Sequence, residues 1–172
     1  SFSLTSVSKP SLPRQDEKYV TAFYQQVEAL SRSARGAANR SSEALEQIAA
    51  MNKALKGARI SDLRMLERTT NLEAQLRELR EGLVGESVRQ RFSEPAQSSI
   101  LRRLSSACSG RGSTYGPTKT HRKEYEIAAG QFGEIHAQLR ELTGEEMNKL
   151  FQLAERVGLP WTKGRPIPSI KK

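Results

Sequence analysis

Few side chains in this sequence could carry chemistry, and their spacing argues for contact rather than catalysis. The only histidines, His121 and His136, have no Cys, Asp or Glu at a metal-binding spacing. His121 opens a basic run, His121-Arg122-Lys123, and Arg102-Arg103 forms a second one. These residues are the candidate contacts for an anion or a partner, although cations in the first turn of a helix oppose its dipole and a solvated face is the plainer reading. His136 with Glu134 reads as a helix-surface pair, while Glu43 with Glu46 and Glu145 with Glu146 lie on polar faces with no pocket implied. Paired carboxylates alone are weak grounds for acid-base catalysis. Gly110-Arg111-Gly112 precedes a helix, but it follows no strand and lacks the Gly-Lys-Ser/Thr end of a phosphate-binding loop, so it reads as a turn. The single cysteine, Cys108, excludes an internal disulfide and, with no activating neighbour, reads as a small buried apolar residue. No catalytic, cofactor-binding or metal-ligating residue is assigned, no cofactor is expected, and the chain reads as a non-enzyme.

The elements that must position these residues are helices. Val20, Phe23, Val27, Leu30, Ala34, Ala37, Ser41, Ala44, Ile48, Met51 and Leu55 recur every three or four residues with no Pro between them. That is one apolar seam on a single helix over about 16–56, roughly 60 Å long at about 1.5 Å per residue. Small residues from Ala34 to Ser42 make its middle thin, which predicts close approach of a neighbour there, with a hinge at Gly36 as the competing explanation. Met65, Thr69, Leu72, Leu76, Leu79 and Leu83 give a second helix over 61–84, antiparallel to the first across a short connection. Ser93-Glu94-Pro95 reads as the start of a third helix, 95–108, with Ile100, Leu101, Leu104 and Cys108 on one face. Laid end to end, the second and third helices nearly match the first in length. A fourth helix, 118–157, starts at Pro117-Thr118 and carries Tyr125, Ala128, Phe132, Ile135, Leu139, Leu142, Met147, Leu150 and Val157, with a one-residue slip near Thr143-Gly144. The expected fold is all-α, an elongated antiparallel helical bundle or coiled-coil hairpin with one broken leg and short extended tails at both ends.

The 172 residues, 36% hydrophobic and 27% charged, suit one domain of amphipathic helices. No run approaches the roughly 18 apolar residues needed to cross a bilayer. The net charge of +9 favours anionic partners. Against that, acids alternate with bases in Glu67-Arg68, Arg77-Glu78 and Arg80-Glu81, and few aromatics are available for stacking. Residues 1–15 read as a strand end broken by Pro10 and Pro13 into a linker, with an organellar transit peptide as the competing reading of their Ser-rich, acid-free composition, and the absence of an initiator Met suggests a piece cut from a longer protein. Residues 159–172 read as an extended tail that Trp161 anchors on the end of the bundle.

The order of these parts resembles a known family. A strand end and proline linker, a long helix, the Leu-rich stretch from Leu72 to Arg80, Leu101-Arg102-Arg103-Leu104, the Pro117-Thr118 helix start and the Gly158-Leu159-Pro160 helix end are similar to the C-terminal region of bacterial sortilin-like β-propeller proteins. Such proteins are often labelled glycosyl hydrolases or sialidase-like from their propeller repeats. The resemblance spans about Phe2 to Pro168. It implies a missing N-terminal propeller and small β-sandwich, exported to the periplasm or cell surface, that would hold any glycan-binding or hydrolytic residues. For this piece it implies a non-catalytic helical appendage that braces the propeller or holds an assembly together.

The functional expectation is therefore a helical scaffold or protein-interaction module. Its partner would be the missing domains, another protein or a second copy of the chain, because a long seam can be satisfied within one chain or between two. The alternative is a basic helical module binding nucleic acid or another anionic polymer through Arg102, Arg103, His121, Arg122 and Lys123.

Overall fold

Asp16 starts the first helix: its carboxylate accepts the Lys18 N–H at 2.9 Å, and α1 then runs unbroken over Glu17–Gly57. A computed structural model describes residues 15–58, 62–86, 98–112 and 115–168. Within them α2 spans Leu63–Val84, α3 spans Ile100–Cys108 and continues into a 3-10 turn at Ser109–Gly112, α4 spans Lys119–Glu141, and α5 spans Met147–Arg156. No strand occurs among the described residues. The fold is all-α, as expected. Of the expected strand end and linker, all but Gln15 lies outside the described residues.

The seams fold as their spacing predicts. On α1 every seam residue from Phe23 to Leu55 is buried except Leu30, which is half-buried like Val20, and Tyr24 and Ala38 join them. All six expected residues of α2 are buried. Thr69 and Ser41 are tolerated in the core because their hydroxyls donate back to the carbonyls of Leu66 (2.9 Å) and Ala38 (2.8 Å). In the thin middle of α1, Ala34, Ala37, Ala38, Ser41 and Ala44 are all buried. Gly36 takes no part in this, since a Cβ there would meet nothing within 4 Å and the helix continues through it.

Two boundaries differ from expectation. The third helix begins at Ile100 rather than at residue 95, because the Ser99 side chain accepts the Arg102 N–H and caps the helix where its apolar face begins; Ser93, Glu94 and Pro95 lie outside the described residues. The slip expected near Thr143 is taken up by a π turn at Leu142–Glu146 rather than by a break. One extra residue per turn keeps Leu139 and Leu142 in line with Met147, Leu150 and Ala154, all buried.

Three legs result. α2 runs antiparallel to α1, with Arg80 Nε donating to Ser42 Oγ at 3.0 Å. α3 follows α2 in the same leg: Ile100 lies near Gly82 and Gly85, and Leu101 to Cys108 face Glu28 to Arg35 of α1. α4 is antiparallel to α3 and parallel to α1. Gln15 Nε2 donates to Pro117 O at 3.0 Å, the Phe23 and Tyr125 rings stand 5.8 Å apart edge to face, and Arg40 Nη2 donates to Thr143 O at 3.2 Å. The sequence separation of these hydrogen-bonded pairs, 102 and then 103, stays nearly constant, as two parallel helices in fixed register require. α5 carries the third leg on over Arg68 and Leu72 of α2.

The tail is anchored differently from expectation. Trp161 is 55% exposed, and the buried residues are Leu159, Thr162 and Arg165. Arg165 reaches back to give hydrogen bonds to Leu159 O (3.2 Å), Pro160 O (2.9 Å) and Glu155 Oε2 (3.2 Å), which satisfies carbonyls just past the end of α5. The indole N–H of Trp161 donates to Arg165 O at 3.1 Å, so the ring has its polar partner without entering the core.

Candidate functional site

The structure brings Arg102, Arg103, His121, Arg122 and Lys123 to one end of the bundle, where α3 packs against the start of α4 and the first half of α1. They do not form one anion cradle. Arg103 is half-buried and gives its Nη1 to Glu124 Oε2 at 2.8 Å, tying α3 to α4. Arg122 donates to Gln15 Oε1 at 2.8 Å and lies 5.3 Å over the Phe23 ring. His121 works as a cap. Its Nδ1 accepts the Thr118 N–H while Thr118 Oγ1 accepts the His121 N–H, both at 3.3 Å. This reciprocal box places imidazole where Glu or Gln usually stands. It assigns the ring proton to Nε2, 3.4 Å from Ser109 Oγ, and the Ser109 hydroxyl donates onward to Ser106 O at 2.7 Å. Arg102 and Lys123 remain exposed, with no hydrogen-bond or ion-pair partner among the described residues.

Residues that the sequence reading left as a turn or a helix face complete this end. Arg111, in the expected turn, pairs with Glu28 across the bundle and sits 5.9 Å over the Tyr24 ring. That carboxylate holds the Arg111 guanidinium proton more tightly than usual. Burial pushes the Tyr24 hydroxyl up from its ordinary 10.0, the Cys108 thiol adds to the shift, and Arg111 and Arg122 pull it back. Gly110 is the residue that lets these groups converge, because a Cβ there would lie 2.4 Å from His121 Cε1 and 3.0 Å from the Tyr24 hydroxyl.

Beside this cluster a groove of about 610 Å³ opens between α1 and α3, lined by Glu28, Ser31, Arg32 and Arg35 on one side and Leu101, Leu104, Ser105 and Cys108 on the other. Each helix contributes positions i, i+3, i+4 and i+7. Cys108 is thus half-buried in a groove wall rather than enclosed in the core; Ala107 is the buried residue beside it. Periodicity alone could have shown the stripe from Glu28 to Arg35, but it flanks the seam and reads as ordinary solvated surface.

Charge is spread unevenly along the sequence. Lys9, Arg14, Arg59, Arg89, Arg91, Lys171 and Lys172, opposed only by Glu94, lie outside the described residues, so the described residues hold only +3 of the +9. Among the described residues, no cluster of three or more His, Cys, Asp or Glu could hold a metal ion, and no helix is long and apolar enough to cross a membrane. Comparison with protein-family models, with curated proteins and with solved structures finds no match for this chain.

Proposed function

We infer that the chain is a non-catalytic helical scaffold and protein-interaction module, the C-terminal appendage of a larger exported β-propeller protein of the periplasm or cell surface. The observation that carries the reading is how the ionisable side chains are used. Arg103 with Glu124, Arg122 with Gln15, Arg111 with Glu28 and Arg165 with Glu155 each tie one element to another. A frame whose polar groups fix the register of three long legs suits a part that holds other parts at set positions. Acids share the described helices with the unpaired cations, as in Glu67-Arg68 and Arg140-Glu141, which disfavours the second reading, a polyanion-binding module, because such binding favours a stripe of one sign along the backbone path.

Two measurements test the reading. Titration of the 172-residue chain with single- and double-stranded oligonucleotides, at about 50 and 200 mM salt, is expected to give only weak binding lost at the higher salt. Tight binding that persists, and that falls when Arg102, Arg122 and Lys123 are neutralised, would replace the scaffold with the polyanion reading. The open reading frame upstream of Ser1 is expected to encode repeated Asp-box β blades, and an organellar presequence there would overturn the propeller parentage.

A further inference from the structure

The groove between α1 and α3 combines two chemistries. Its floor is apolar, made by Leu101, Leu104 and Cys108, the first and last half-exposed. Its rims are cationic. Arg32 and Arg35 stand on the α1 side, both exposed and without partners among the described residues. Arg102, equally unpartnered, follows Leu101 and precedes Ser105 by three residues, which puts it on the outer flank of α3. The one acid in the lining, Glu28, is already engaged by Arg111. The lining runs from Glu28 to Arg35 on one helix and from Leu101 to Cys108 on the other, about 10 Å or two helical turns on each.

Resting on the reading of the chain as an interaction module, we propose that this groove receives a short acidic amphipathic helix of a protein partner. Its apolar i, i+3, i+4, i+7 face covers Leu101, Leu104 and Cys108, and its flanking carboxylates meet Arg32 and Arg35 on one rim and Arg102 on the other. Helix-in-groove recognition uses these anchor spacings. Charge complementarity selects an acidic helix over a basic or neutral one, because seating a cation between the arginines places like charges together. The floor separates a peptide from a nucleic acid. Among the described residues no aromatic ring lines the groove for base stacking, and a phosphate backbone gains nothing from leucine and thiol surface. The concavity separates it from a lipid surface, which requires a convex apolar face.

Cys108, the only cysteine, reports directly on occupancy. The probes are a synthetic helix of about 15 residues with Leu at the anchor positions and Glu on both flanks, its counterpart with Lys for every Glu, a single-stranded oligonucleotide, and vesicles containing phosphatidylserine. The measurements are probe affinity and the rate at which a neutral maleimide modifies Cys108. The acidic helix is expected to slow modification several-fold at saturation, while the Lys helix leaves it unchanged. Reversing Arg32 and Arg35 together to Glu, in a chain checked for unchanged helicity and melting, is expected to weaken the acidic helix about tenfold and to admit the Lys helix. Protection of Cys108 by the oligonucleotide or the vesicles but by neither helix overturns the proposal and with it the interaction-module reading. Binding of the acidic helix with Cys108 fully reactive, indifferent to Arg32 and Arg35, overturns the groove assignment alone and leaves that reading in place. Absence of binding by every probe overturns the proposal.

Discussion

Replacing Gly36, Gly130 and Gly133 with alanine should stabilise the protein, and the structure sets the size of the effect. Gly36 lies in the interior of α1, Gly130 and Gly133 in the interior of α4, all three exposed, and a Cβ at each would meet no atom within 4 Å. With no steric term, what remains is the helix propensity difference between Gly and Ala, about 1 kcal/mol per site. Gly36 is on a different helix from the other two, and Gly130 and Gly133 are one turn apart on open surface, so the increments should add to about 3 kcal/mol. For a chain of this length that corresponds to a rise in Tm of about 6–12 °C. Thermal melts followed by far-ultraviolet circular dichroism read the shift, and denaturant titration should show a higher midpoint at unchanged slope. Gly110→Ala is the internal control of opposite sign. Its new methyl would meet the His121 imidazole, which Thr118 and Ser109 hold in place, and should cost about 1–3 kcal/mol. If Gly36→Ala lowered Tm, that site would be a hinge or a covered surface, and the account of α1 as an unbroken rod with an open flank at Gly36 would be wrong.

Other substitutions probe the core, the tail and the basic end. Leu76, fully buried at the centre of α2, should cost about 3 kcal/mol as Leu76→Ala and more as Leu76→Glu, read by the same melts; an unchanged Tm would refute the seam. Arg165→Ala removes the hydrogen bonds to Leu159 O, Pro160 O and Glu155 and should cost about 3 kcal/mol. It should also alter the emission of Trp161, the only tryptophan, whose indole N–H depends on the same turn; unaltered emission would show that the tail is fixed by something else. The raised proton affinity of Tyr24 has a definite sign. The folded state holds the phenolic proton more tightly, so the stability it contributes is complete below pH 10.0 and is lost as pH climbs through the folded value. In a phenolate absorbance titration, the step missing from Tyr24→Phe should lie above 10.0, and a step at or below that value would contradict the burial argument.

Much of the frame was legible because a helix advertises its buried stripe. The spacing of Met65, Thr69, Leu72, Leu76, Leu79 and Leu83 named the core face of α2 without error, and the slip at Thr143 marked where a π turn absorbs a residue. Capping was less legible, since several serines compete upstream of Ile100 and it is Ser99 that accepts the Arg102 N–H. Size misled at Trp161: a large ring suggests burial, but its N–H found a carbonyl within a tight turn, while the guanidinium of Arg165 took the enclosed position. At the basic end, residue type alone could not separate cations tied between helices from free ones. Arg103 and Arg102 are adjacent in sequence and differ only in which way α3 turns them. The groove was invisible because it joins a flank stripe of α1 to one of α3 that stands some seventy residues away in sequence.

The first and last legs point the same way, so no short turn could join them, and the chain must travel back along the whole molecule between them. Its most extensive pairings are nonetheless local, α1 with α2 and α3 with α4, which divides the folding problem into two helical hairpins that can each form early. Joining them should be the slower step, because it must set a register separated by about a hundred positions through Gln15 with Pro117 and Arg40 with Thr143. Two separate chains, one carrying α1 with α2 and the other α3 with α4 and α5, each keep one hairpin, so the two halves should recombine from solution as a split protein.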